Sequence, residues 1–223
     1  KFAVLKRSGE FRVSERVGVE ALNMLRELMD GCPRQCLDWN PIAIHDVMSS
    51  SDEFAYCPFA YAYSNYARPG YGRRRLEFGD LPSFEGTGRA ATTLGGAGLA
   101  ISAQTQHQQE AADYARYVAS ADCQRGLYFW SGGQPGHRQA WVDEEVNGAS
   151  CDFFRKTLPA LDRAYLRPRY EGYSDFQERA SRVTRDFLVN RGDARRAMGK
   201  MRAIFEKTRP ASSIHGDESY ETP

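Results

Sequence analysis

No stretch of this 223-residue sequence approaches the roughly 20 consecutive apolar residues that a membrane-spanning helix needs. Charge of one sign is also missing. With 30 basic and 29 acidic side chains the formal net charge is +1, so no bulk electrostatic pull toward nucleic acid or a membrane surface is expected. The motifs of common catalytic sites are absent as well: there is no Gly-x-Ser-x-Gly, no phosphate-loop lysine and no His-Glu-x-x-His. Gly95-x-x-Gly98 lacks the length and the downstream acid of a dinucleotide fingerprint. The acidic pair Glu144-Glu145 falls on a predicted helix surface, where a solvated face is the default. The sequence therefore predicts no enzyme activity and no cofactor.

Cysteine is sparse and odd in number. Of the five, Cys32 and Cys36 flank Pro33 in a predicted loop and can close a small disulfide; Cys57, Cys123 and Cys151 are scattered, with buried free thiols the plain account of Cys57 and Cys151. Cys32-x-x-x-Cys36 with His45 offers three ligands where a structural metal site needs four, so no metal is expected. The N-terminal run Lys1 to Ser8 is too short in its apolar core, and lacks the small-residue cleavage site, to read as a signal peptide.

What is present is helical periodicity. Ser14 is placed to cap a helix carrying Val17, Ala21, Leu22, Leu25, Leu28 and Met29, stopped by Gly31 and Pro33. A short helix is expected over Ile42 to Met48, a strand over Phe54 to Tyr63 despite Pro58, and another short strand at Leu76 to Leu81. Arg68 to Arg75 reads as a solvated basic turn, and Glu85 to Thr93 as a Gly- and Thr-rich linker. Helices follow at Asp122 to Trp130, Arg138 to Asn147, Asp152 to Tyr165, Asp175 to Asn190 and Asp193 to Thr208. The last has Ala194, Ala197, Met198, Met201, Ile204 and Phe205 on one face.

The centre of the chain combines two periods. Gly95, Gly96 and Gly98 open a short apolar run, Leu99, Ala100 and Ile101, fit for a buried strand. Beyond Ser102, Ala111, Ala112, Ala115, Val118 and Ala119 recur at helical spacing, with Gln108, Glu110, Asp113 and Arg116 on the outer face. Strand followed by helix makes one α/β unit.

The order Leu94-Gly-Gly-Ala-Gly-Leu-Ala-Ile-Ser102, the Ala-Ala-x-x-Ala helix and the Gly132-Gly-Gln-Pro135 turn resembles the extracellular solute-binding proteins of the sugar-type branch that serves ABC importers. Cys57-Pro-Phe-Ala-Tyr-Ala-Tyr-Ser-Asn65 and Leu166-Arg-Pro-Arg-Tyr-Glu-Gly-Tyr173 sit where that family has similar runs. The resemblance implies a periplasmic-binding-protein-like two-lobed α/β fold of which this chain is a helix-rich C-terminal part. On that view residues 1–83 are a second-lobe segment, 84–149 the return segment of the first lobe with hinge crossings, 150–209 the C-terminal helices of the second lobe, and 210–223 a flexible tail. It implies a periplasmic or extracellular location, ABC permease subunits as partners, and a small-molecule solute, a carbohydrate or related polyol, bound between lobes. The rival is a non-transport interaction or sensor protein of the same fold that has lost solute binding.

A neutral sugar has apolar C–H faces and a rim of hydroxyls, so its site needs flat aromatic surface and a few fixed donors and acceptors. Trp130, Tyr61 and Tyr63 can supply the first, and Gln134, Asn65 and Arg138 the second; the backbone N–H groups of Gly95, Gly96, Gly132 and Gly133 have no side chain to shield them. Each has a plainer account: Trp130 and one of the tyrosines as core, Gly132-Gly133 as a helix C-cap, and Asn65 as a turn former. Because the resemblance implies a lobe whose founding strands are absent, the chain alone is also expected to self-associate, or to leave Gly98 to Ser102 and the following helix poorly ordered.

Overall fold

A computed structural model describes residues 14–82 and 92–209. The run Lys1 to Ser8, most of the Glu85 to Thr93 linker and the tail from 210 lie outside the described residues. Helices account for 58% of the described residues and strand for 1%, and that 1% is one isolated parallel bridge between Thr93 and Tyr165. The α/β two-lobed architecture is therefore corrected: among the described residues there is no sheet.

The three predicted strands fail for a common reason, since a strand is stable only when its backbone groups find a ladder. Phe54 to Tyr63 carries Pro58, which has no N–H to donate, and its aromatic residues point largely to solvent. Leu76 to Leu81 shows one backbone link to another described segment, Leu76 N–H to the Tyr66 carbonyl at 2.9 Å. Gly98 to Ser102 runs without regular structure, its Leu99 and Ile101 exposed.

Two compact units make up the chain, one from its two ends, up to Asp38 and from Arg167, and the other from Trp39–Leu166. In the first unit, α1 (Glu15–Asp30) starts where Ser14 Oγ accepts the Val17 N–H and stops where the Gly31 N–H reaches the Leu28 and Met29 carbonyls. It packs with α8 (Tyr173–Val189) and α9 (Ala194–Thr208), whose predicted apolar stripe is the one that is buried. Leu22, Phe187, Ala194, Ala197 and Met198 form this core. Asp193 caps α9 by accepting the Arg196 N–H. Gly172 enters α8 at φ +94°, and a Cβ there would run into the Thr208 carbonyl. Cys32 and Cys36 are not joined to one another by a disulfide.

The second unit opens with α2 (Pro41–Ser50), capped by Asn40, and closes with five helical pieces. These are α3 (Gln108–Ala119), α4 beginning at Ala121–Cys123, α5 (Arg138–Val142), α6 (Glu144–Ala149) and α7 (Phe153–Asp162). Ser120 caps α4, its hydroxyl accepting the Cys123 N–H, so the helix starts at Ala121. α4 continues through a π-helical stretch, Gln124–Tyr128, kinked at Gly126, to Trp130. The helix expected over Arg138 to Asn147 is broken at Asp143, whose carboxylate accepts the Glu145 and Val146 N–H groups and so starts α6. Asn147, fully buried, donates to the Trp141 and Asp143 carbonyls and accepts the Arg155 N–H, tying α5, α6 and α7 together. Around it lies the core of Ala67, Phe129, Trp141, Val146, Phe153 and Phe154.

Candidate functional site

The candidate site lies within the second unit, where two segments far apart in sequence are held side by side. One runs from Tyr61 through the 3-10 turn Ser64–Ala67 to Arg68; the other is the end of α4 and the turn after it, Phe129 to Gln134. Three straps join them. Gln134 accepts the Ser64 N–H through its amide oxygen at 2.8 Å and donates to the Ala62 carbonyl at 3.3 Å. Asn65 Nδ2 donates to the Gly132 carbonyl at 3.1 Å. Arg68 Nη2 donates to the Phe129 carbonyl at 2.9 Å and the Gly133 carbonyl at 3.2 Å.

The α4 terminus is a Schellman arrangement. Gly132, at φ +92°, donates its N–H to the Phe129 carbonyl, and the Gly133 N–H reaches back to the Tyr128 carbonyl, both at 2.9 Å. These two N–H groups are thus taken up by the helix end, and what Gly132 offers its surroundings is a carbonyl. Gly133 is also sterically required: a Cβ there would lie 2.5 Å from Tyr128 Cε1 and 2.7 Å from the Tyr128 carbonyl oxygen.

On this frame sit three exposed aromatics. Trp130 is 59% exposed, Tyr61 47% and Tyr63 41%, so none of them is spent on the core. Trp130 meets only the edge of Phe129 among the ring contacts of the described residues, at 5.0 Å between centroids. Tyr61 lies against Gly95, where a Cβ would come within 2.6 Å of Tyr61 Cε1; the glycine permits the close approach. Gly96 is exposed with open space around it. Tyr63 is backed by buried His45 at 6.0 Å, edge-on.

The charge of Arg138 is already paired. Arg138 forms a two-pronged ion pair with Asp162 at 2.5 and 2.8 Å, and the same hydrogen bonds hold the Asp162 carboxyl below its usual range. Arg138 is therefore drawn to α7 and is not among the strapped residues. Arg68 has no acidic partner among the described residues; its guanidinium lies 3.9 Å over the Phe129 ring, and burial lowers its pKa. His45, enclosed by Tyr63, Tyr66 and Phe78, is pushed to a lower pKa by burial, an effect that neighbouring Asp46 opposes. Tyr66 donates to Asp46 at 2.5 Å and has its pKa raised, by burial first and that hydrogen bond second.

Among the described residues no group of His, Cys, Asp and Glu is placed to hold a metal ion. Arg68 and Phe129 are the site residues that reading the sequence passes over. Arg68 opens a basic run that scans as a solvated turn, and only its company in space marks it out. No family model matches the chain, and no curated protein matches it.

Proposed function

We propose that this protein is the solute-binding component of an ABC importer and takes a sugar or related polyol on the aromatic surface of Tyr61, Tyr63 and Trp130. The observation that carries the reading is the pairing of those exposed rings with a backbone frame fixed by Gln134 and Asn65. Rings carried on a strapped backbone can stack on the C–H face of a sugar. A neutral solute fits the Arg138 side of the site, where Asp162 matches the charge, while the Arg68 terminal nitrogen is turned to the Phe129 and Gly133 carbonyls. An anionic solute would need a free cation here.

The order of motifs in the sequence supports the same reading, and with it a periplasmic or extracellular location and permease subunits as partners. The reading includes no catalysis, and no pair of carboxylates is assigned to a common reacting position. Thermal melting of the intact gene product carrying these residues, against a panel of mono- and oligosaccharides and polyols, tests it. Ligand linkage requires the melting temperature to climb with the concentration of the right solute. A flat response across the panel, or repeated turnover of a glycoside lost on one Asp or Glu substitution, sinks the proposal.

A further inference from the structure

Arg68 sits in an unusual place for a guanidinium. It is half-buried and faces no carboxylate among the described residues; its partners are the Phe129 and Gly133 carbonyls and the face of the Phe129 ring. Those carbonyls belong to the last turn of α4 and the loop after it, where the aligned peptide dipoles leave partial negative charge. The ring adds a quadrupole of the same sign on its face. A cation is thus held by fixed partial charges, and in return it pins two carbonyls on either side of Trp130 and Gly132.

From this we infer that Arg68 is a positioning residue for solute binding, acting through Trp130 without touching the solute. The inference rests on the reading that Trp130 stacks on the solute. Trp130 has little packing of its own to fix its direction, since it is exposed and meets only the edge of Phe129 among the ring contacts of the described residues. Its direction follows from the backbone at Phe129, and Arg68 locks that backbone from the carbonyl side and the Phe129 ring from its face. Asn65 adds the hold on Gly132, from the same 3-10 turn that presents Tyr63. Both hydrogen bonds leave one nitrogen, Nη2, while the guanidinium carbon stands 3.9 Å from the centre of the Phe129 ring, so a single group holds the two carbonyls and the ring together.

The test labels the intact gene product with 5-fluorotryptophan. This sequence contributes three tryptophans, and the Trp130 ¹⁹F resonance is assigned by its loss in Trp130→Phe. In Arg68→Met, the Trp130 resonance is expected to shift and broaden while those of Trp39 and Trp141 stay in place. Affinity for D-glucose and maltose is then measured in wild type, Arg68→Met, Trp130→Ala and the double variant. Arg68→Met is expected to weaken the better-bound sugar by roughly tenfold or more and to have no further effect once Trp130 is gone. Arg68→Lys, which keeps a cation but loses the guanidinium and its reach over the Phe129 ring, is expected to move the same resonance in the same direction and stands in if Arg68→Met does not fold. An unmoved Trp130 resonance, or an Arg68 loss that simply adds to the Trp130 loss, overturns the inference. If Trp130→Ala leaves both affinities unchanged, the stacking reading fails instead, with the Trp130 resonance still showing whether Arg68 sets its position.

Discussion

The Gln134 side chain and the Ser64 backbone, 70 positions apart, meet at 2.8 Å, and the same amide returns a hydrogen bond to Ala62. A primary amide used in this way acts as one more rung between two segments that share no sheet. Gln134→Ala should leave the N–H of buried Ser64 without its partner and cost about 1–3 kcal/mol of stability. Gln134→Glu keeps the acceptor and should cost less. Urea titration of the two variants beside wild type checks the order; equal stability of all three would show that the strap contributes nothing.

Trp130→Ala separates function from folding. Trp130 is mostly solvent-exposed, so truncation should change folding stability by no more than about 0.5 kcal/mol. Solute affinity should fall by roughly 1–3 kcal/mol through lost stacking and buried area. Calorimetric titration together with a melting curve reads both. A large stability loss would contradict the exposure, and intact affinity would remove Trp130 from the site.

Gly172→Ala should be among the costlier single-methyl additions in the chain. The new Cβ meets a positive φ and the Thr208 carbonyl at once, so relaxing one strain does not relieve the other. A loss above about 1 kcal/mol is expected. A melting temperature matching wild type would mean that α8 can be entered by another route.

His45 predicts a pH dependence with a definite sign. Burial lowers its folded pKa below the ordinary value near 6.5, so the unfolded chain takes up a proton first as pH falls. Its stabilising contribution is complete above the unfolded pKa and declines as pH drops from there through the folded pKa. The groups around it are the Tyr63, Tyr66 and Phe78 rings and the Asp46 carboxylate, which opposes the shift. Urea midpoints at pH 7.5 and 5.5 should fall less in His45→Phe than in wild type; parallel falls would place the titration elsewhere.

Self-association of this chain is expected from surface rather than from strand edges. Leu99, Ile101, Tyr114, Tyr117 and Leu127 are all exposed, and α3 buries none of its residues. Exposed apolar groups in this number favour association. Light scattering across a concentration series should show mass rising above one chain, and a constant monomer mass would count against it.

The helices were legible because their signals are local. Ser14, Gly31 and Asp193 do in the structure what their residue types announce, and the α9 stripe is buried where its spacing predicts. Strands were not legible, because a strand depends on a partner and neither Leu99 nor Tyr61 carries information about which segment will lie beside it. Asp143 shows a subtler limit. Within a helical pattern it looks like one more polar outer position, yet its carboxylate competes for the next two N–H groups and starts a new helix. At the site, the aromatics and the glycine pair were visible in the sequence, while the straps were not. Arg68 looks like any other arginine of a basic loop until the end of α4 is set against it.

Asn147 is followed by Gly148, the sequence most prone to spontaneous ageing through attack of the glycine nitrogen on the asparagine side-chain carbonyl, with loss of ammonia. In the folded chain that carbonyl oxygen is held by the Arg155 N–H, the amide nitrogen by two carbonyls, and the backbone by α6, so the ring that the reaction needs cannot close. The site then works as a clock that runs only when the junction of α5, α6 and α7 opens. Isoaspartate at position 147, read by peptide mass mapping, should accumulate far faster in urea than in native buffer, and equal rates would mean that the junction is open already. A stored sample would carry in this one residue a chemical record of how often it had come apart.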